Sequence, residues 1–237
     1  LHKTFSQPHG GGGPGSGPIG VKEHLSKFLP SPIVGRREAT EDEVGVADGY
    51  WYNWVTPEST IGKVQQWNGN AGAVVRSWAF YRRYGRELET MSEHAVLNAN
   101  YLRHVMMNPD PNLQIHAMPV EGCPADVVKH EFTLSMSPLK DTNGVTGKDV
   151  AKRLLDYGYM APTLYFPQIV PECLMFEPTE TESKEVLDKF AQDFHSILAE
   201  DPEIVISSPH TTPVGRVDEV WAARNLILRY NKSQDLS

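Results

Sequence analysis

Cysteine is scarce in this chain: 237 residues hold two, Cys123 and Cys173, far apart and without C-x-x-C spacing. A disulfide framework is therefore not expected, and the pattern fits a reducing, cytoplasmic setting. Both thiols are read as small buried side chains rather than a redox pair. Long apolar runs are missing as well. No uninterrupted stretch approaches the roughly 20 residues that span a bilayer, and the opening shows no basic-then-apolar leader. A soluble protein with no membrane partner is expected. Positive charge is in deficit, with 22 Lys and Arg against 30 Asp and Glu and a formal net charge of -8. Basic residues cluster only in short pairs such as Arg36-Arg37 and Arg82-Arg83, so a phosphate backbone would be repelled and nucleic-acid binding is not expected. The nine histidines contain no H-E-x-x-H, and no metal site is expected from their spacing. His130-Glu131, beside an apolar segment, reads as structural. An initiator methionine is also missing. Opening on Leu1-His2-Lys3, the chain is read as processed or as part of something longer.

Glycine and proline are abundant, at 19 and 18 residues, and they concentrate in the first third. His9-Gly10-Gly11-Gly12-Gly13-Pro14-Gly15-Ser16-Gly17-Pro18 opposes a helix at almost every position. Such a run serves as a flexible linker or lets backbone pass close to a ligand or another chain; residue type leaves both open. Residues 1 to 70 read as loops. From Gly72 the pattern changes: Ala73, Val74, Trp78 and Tyr81, then Val96, Leu97, Tyr101, Leu102 and Val105, recur at helical spacing. Gly85 marks a break between two helical pieces, and Asn108-Pro109-Asp110-Pro111 ends the second.

Further on, Phe132 to Met136 and Cys173 to Phe176 read as strands. Thr146-x-x-Asp149 is a capping-box pattern that opens a helix stopping at Gly158, and Thr179-x-x-Glu182 is a second one. The helix after it carries the clearest stripe: Val186, Leu187, Phe190, Phe194, Ile197 and Leu198 share one face. Strand and helix alternate here over about 70 residues, which predicts a small two-layer α/β domain. One short helix is expected near Val217 to Arg224.

Two places have chemistry in view. A lysine such as Lys3 becomes a nucleophile toward an aldehyde when its amine is neutral, which burial or neighbouring positive charge promotes; most lysines are simply solvated. Gly69-Asn70-Ala71-Gly72 directly precedes the first long helix. Free N–H groups at a helix start favour an anion such as a phosphate, whereas a simple cap by Asn70 explains the same residues.

Residues Leu1-His2-Lys3-Thr4-Phe5, Pro8 to Gly15 and Gly17-Pro18-Ile19-Gly20-Val21 together resemble the cofactor-lysine segment of the glycine-decarboxylating P-protein of the glycine cleavage system. Gly69-Asn70 with Gly72, Leu97 to Leu102, Asp149 to Gly158, Ala161-Pro162-Thr163, Glu177 to Lys184, His210 to Val214 and Ala222 to Asn225 resemble the subunit 2 branch of the two-subunit form. The likeness covers nearly the whole chain. One departure is Ala71, where that family is expected to carry a bulkier aromatic residue.

The resemblance implies an α/β fold of the fold-type-I pyridoxal-phosphate (PLP) transferase class. Residues 1–110 would be the tail of the large domain with its connecting helix, and residues 111–237 the small C-terminal α/β domain. It implies Lys3 as the catalytic, cofactor-bearing lysine, with Gly69 and Asn70 contacting the cofactor phosphate. It implies decarboxylation of glycine with transfer of the aminomethyl group to the lipoyl group of the carrier H-protein, an oxidoreductase reaction on a CH–NH2 group with a disulfide acceptor. NAD would be used elsewhere in that system. Glycine dehydrogenase subunit 1, the lipoylated H-protein and glycine are the implied partners, in a hetero-oligomer built as a dimer of heterodimers in the cytoplasm. Members of that family carry a long half before the lysine, which supplies much of the pocket. The competing expectations are a non-catalytic supporting subunit and an inactive fragment. Lys3 within its motif argues against the first.

Overall fold

The computed structural model describes residues 3, 5, 7, 15–40, 49–107, 114–116, 122–124 and 127–229. The chain divides into two compact units, Leu1–Leu88 and Glu89–Ser237.

In the first unit a hairpin pairs β1 (Ile33–Glu38) with β2 (Tyr50–Val55), antiparallel, with Ile33 opposite Val55 and Glu38 opposite Tyr50. This corrects the expectation of loops throughout the first 70 residues. Period-two alternation signals a strand only where one face is buried, and here Val34, Trp51, Tyr52 and Trp54 are all exposed. A Cβ at Gly35 would come within 2.8 Å of the Val55 side chain, so a larger residue there would have to displace it. Helix α1 (Ala71–Tyr84) follows, and among its residues Ala73 and Ser77 are buried. Gly85, at φ 53°, ends it and begins a short 3-10 turn, Gly85–Glu87. The expected break falls there, since a positive φ suits a residue without Cβ.

Helix α2 (Leu88–Met107) buries Ala99, Leu102 and Met106. It ends just before Asn108-Pro109-Asp110-Pro111, which lie outside the described residues. After it come β3 (Gln114–His116), β4 (Phe132–Ser135), α3 (Ser137–Asn143), α4 (Gly147–Asp156), β5 (Thr163–Leu164), β6 (Cys173–Phe176), α5 (Lys184–Leu198), α6 (Pro202–Ser207) and α7 (Glu219–Arg224). The strands form one sheet in the order β3-β4-β6-β5, with every neighbouring pair antiparallel. At its centre Phe132 faces Phe176 with ring centroids 5.5 Å apart, and Phe194 of α5 meets Phe176 edge-on at 5.7 Å. Leu134, Val150, Leu154, Leu174, Leu187 and Ile197 complete a dry core between sheet and helices. Each such side chain contributes about 1.5–3 kcal/mol by leaving water.

The capping box at α4 is made in full: the Asp149 N–H donates to the Thr146 hydroxyl at 3.2 Å, and the Thr146 N–H donates to the Asp149 carboxylate at 2.9 Å. The second expected box is not. Ser183 caps α5 instead, accepting from the Val186 N–H at 3.4 Å. The reason lies in Asn98 of α2, whose amide donates to the carbonyls of Thr179 and Glu182 at 2.8 and 3.0 Å. That holds residues 179–182 as a turn, and the Thr179 hydroxyl pairs with that of Thr181. On α5 itself Leu187, Ala191, Phe194 and Ile197 are buried, while Val186, expected on the same face, is exposed. The buried line starts at Leu187. Cys173 is buried as expected, but Cys123 is exposed.

Beyond α6, which carried no clear sequence signal, the chain is held by carboxylates of α4. Asp156 accepts from the N–H groups of His210 and Thr211, both at 2.7 Å, from the Thr211 hydroxyl at 3.0 Å and from Arg153 at 2.9 Å. Burial alone would raise the Asp156 carboxyl, but these donors outweigh it and hold it at about 2. Asp149 reaches Arg216 at 2.8 Å. Helix α7 lies within the expected span. Among the described residues, no helix is long and apolar enough to cross a membrane.

Candidate functional site: a lysine turn seated on the first helix

Lys3 is exposed and lies on a tight turn whose ends pair, its N–H donating to the Gln7 carbonyl at 3.0 Å. Its backbone is left-handed, at φ 70°. For a residue with a Cβ this costs on the order of 1–2 kcal/mol, so surrounding contacts must hold it. Helix α1 provides them. The Gln7 side-chain amide, on a residue only 4% exposed, donates to the Ala73 carbonyl at 2.6 Å. The Ser77 hydroxyl donates to the Phe5 carbonyl at 3.3 Å. The Phe5 ring stacks on Tyr81 at 4.7 Å and meets Phe80 edge-on at 6.1 Å. Residues 73, 77 and 81 recur every four positions and so form one stripe along α1. Ala73 and Ser77 are small, which allows the turn to lie close against the helix.

Asn70 and Gly69 sit at the start of that same helix. The Asn70 side chain accepts from the Ala73 N–H at 3.0 Å, so the simple cap is made. Ala73 is therefore bonded from both directions, by Asn70 at its N–H and by Gln7 at its carbonyl. The Ala71 and Gly72 N–H groups belong to the first turn, where no intrahelical carbonyl takes them. Gly69 has φ 72°, and a Cβ there would stand 2.6 Å from the Ser16 hydroxyl. The glycine-rich segment thus passes the loop before α1 at Ser16. Lys3 and Asn70 are tied to one helix turn through Gln7 and Ala73, and Gly69 is adjacent to them in the chain. Gln7 and Ser77 were not singled out from the sequence. Their only signal there is a polar residue on an otherwise apolar helical stripe at 77.

Among the described residues, one trio of ligand-type side chains clusters elsewhere: His130, Glu131 and Glu177, all exposed, with their ligand atoms within 4.8 Å of one another. The His130 ring lies 3.6 Å from Glu177 and 3.8 Å from Glu131.

An exposed lysine seated on a helix start, followed by an antiparallel sheet covered by amphipathic helices, defines a mixed α/β protein with a candidate lysine site. Residues 91–212, within the second unit, match the family model of the glycine dehydrogenase C-terminal domain. The chain belongs to the glycine dehydrogenase family. It is 45% identical to a protein of Alkaliphilus oremlandii named "Probable glycine dehydrogenase (decarboxylating) subunit 2", over 99% of this chain and 44% of that protein. Proteins of the same name from Bacillus cytotoxicus and Coxiella burnetii (strain Dugway 5J108-111) are 48% and 43% identical, over 98% and 97% of this chain and 44% of each relative. The chain thus spans less than half the length of the curated relatives it matches.

Proposed function

We propose that this chain is the lysine-bearing portion of a glycine dehydrogenase (decarboxylating) subunit 2, with Lys3 as the residue that holds PLP. The observation carrying this reading is the shared anchor at Ala73, which ties the Lys3 turn and the Asn70 loop to one helix turn. The donor set fits the cofactor. An exposed primary amine suits its aldehyde, and the first-turn N–H groups of α1, approached through Gly69 and Asn70, suit its phosphate.

The chemistry a bound PLP supplies is electron withdrawal through its ring, which stabilises the carbanion equivalent left when glycine loses carbon dioxide. Lys3 would hold the cofactor through its aldehyde, and its amine, when free, would carry a proton to or from the reacting carbon. Asn70 fixes the helix start whose free N–H groups would hold the phosphate, and Gly69 keeps the loop narrow beside Ser16. The reaction is transfer of the aminomethyl group to the lipoyl disulfide of the carrier H-protein, an oxidoreductase step of glycine catabolism. It takes place in the cytoplasm, with glycine dehydrogenase subunit 1 as partner in a dimer of heterodimers. In fold-type-I terms, residues 1–110 form the tail of the large domain with its connecting helix, and residues 111–237 the small domain.

Replacing Lys3 with alanine in the complete subunit, together with subunit 1, tests this directly. Borohydride reduction after loading with PLP, followed by peptide mass mapping, is expected to place the cofactor on Lys3 and to find none in Lys3→Ala. An adduct that persists on another lysine in that variant overturns the assignment.

A further inference from the structure

Gln7 is bonded both to Lys3 and to helix α1. Its two bonds run in opposite directions. The carbonyl receives the Lys3 N–H at 3.0 Å, and the side-chain amide donates to the Ala73 carbonyl at 2.6 Å. The residue is 4% exposed, and a buried amide left without a partner is costly. Gln7 is thus the link through which the conformation of Lys3 is fixed by a helix 66 residues further along the chain. Released from that link, Lys3 would relax from φ 70° toward the negative values that residues with a Cβ favour. Such a change swings the Cα–Cβ bond and re-aims the amine. A glutamate at this position would set a carboxylate against the Ala73 carbonyl, and asparagine is one methylene shorter.

We propose that Gln7 is a positioning residue for the Lys3 amine, holding the left-handed turn from which that amine meets the cofactor aldehyde. This rests on the reading of Lys3 as the PLP lysine. Ser77 assists from the same helix face through its bond to the Phe5 carbonyl.

The test uses the complete subunit assembled with its partner subunit and loaded with PLP. Affinity is read from visible absorbance during titration with PLP, the pH midpoint of the lysine–cofactor band is recorded, and borohydride mapping identifies the lysine. Gln7→Met keeps the length and volume and removes the donor. It should still be labelled at Lys3 but bind PLP roughly tenfold more weakly, with a displaced absorbance midpoint. Ser77→Ala should act in the same direction, by roughly threefold. A Gln7 that merely packs would lower the melting temperature and leave affinity and midpoint unchanged in folded protein; that result overturns the proposal. Should Gln7→Met fail to fold, Ser77→Ala decides alone, and unchanged affinity and midpoint there overturn it equally. Cofactor mapped to a lysine other than Lys3 in the unmodified protein removes the underlying reading, and this proposal with it. Mapping to Lys3 with both variants unaffected removes the positioning role only.

Discussion

The two units of this chain are built on opposite principles. In the second, apolar side chains of sheet and helices fill one dry core, with Phe132, Leu134, Leu174 and Phe194 wholly or almost wholly buried. In the first, α1 buries two small residues and leaves Val75 and Trp78 each 63% exposed. A core stabilises by apolar area, while the lysine turn is held by a few directional bonds and one ring stack. Hydrogen bonds fix geometry well but add little net stability, about 1 kcal/mol each. Within this chain the second unit is therefore held mainly by apolar burial, and the lysine turn of the first mainly by directional bonds.

Mutations can break or sharpen this contrast. The largest effect is expected from Phe194→Ala, which empties the centre of the second unit; chemical denaturation should show a loss of about 3–5 kcal/mol. Next is Asp156→Asn, which removes the charge that gathers the 210–211 backbone, Thr211 and Arg153. A loss of about 2 kcal/mol is expected near neutral pH. The Asp156 carboxyl is held at about 2 in the folded protein, below its ordinary 3.8. Its contribution is thus complete above the ordinary value and disappears as pH falls through about 2. Denaturation of both proteins between neutral and strongly acid pH should show their difference shrinking across that window. A difference that persisted at the acid end would assign the effect to packing rather than charge. Smallest of all is Trp78→Ser, on the exposed side of α1, which should change the stability of this chain by less than about 0.5 kcal/mol. A larger loss would mean that the first unit has a core of its own after all.

Legibility from sequence followed the same division. Helices α4 and α5 were readable because one face of each is buried, so period and burial agree; strands β4 and β6 were readable as short runs buried at nearly every residue. The Thr146 box was readable because its chemistry is local. The Thr179 box misled because Asn98, some eighty residues earlier in the chain, claims that turn. The β1–β2 hairpin left no apolar alternation to read, since none of its residues is buried. Lys3 stood out through its resemblance to a family segment, not through spacing. Gln7 could not be seen at all, because a single glutamine in a loop has no period.

The hold on the lysine turn has a consequence for how the chain is made. Its bonds to α1 cross 66 and 72 residues. Local helices form within about a microsecond, whereas distant loops must first close against their entropy. During synthesis Lys3 is therefore made long before the residues that hold its turn exist. A chain stopped before Ala73 would display a lysine that looks complete in sequence yet lacks both bonds that hold its turn. The fold of the Lys3 turn is thus timed as well as placed, since the turn is held only once a helix made later exists.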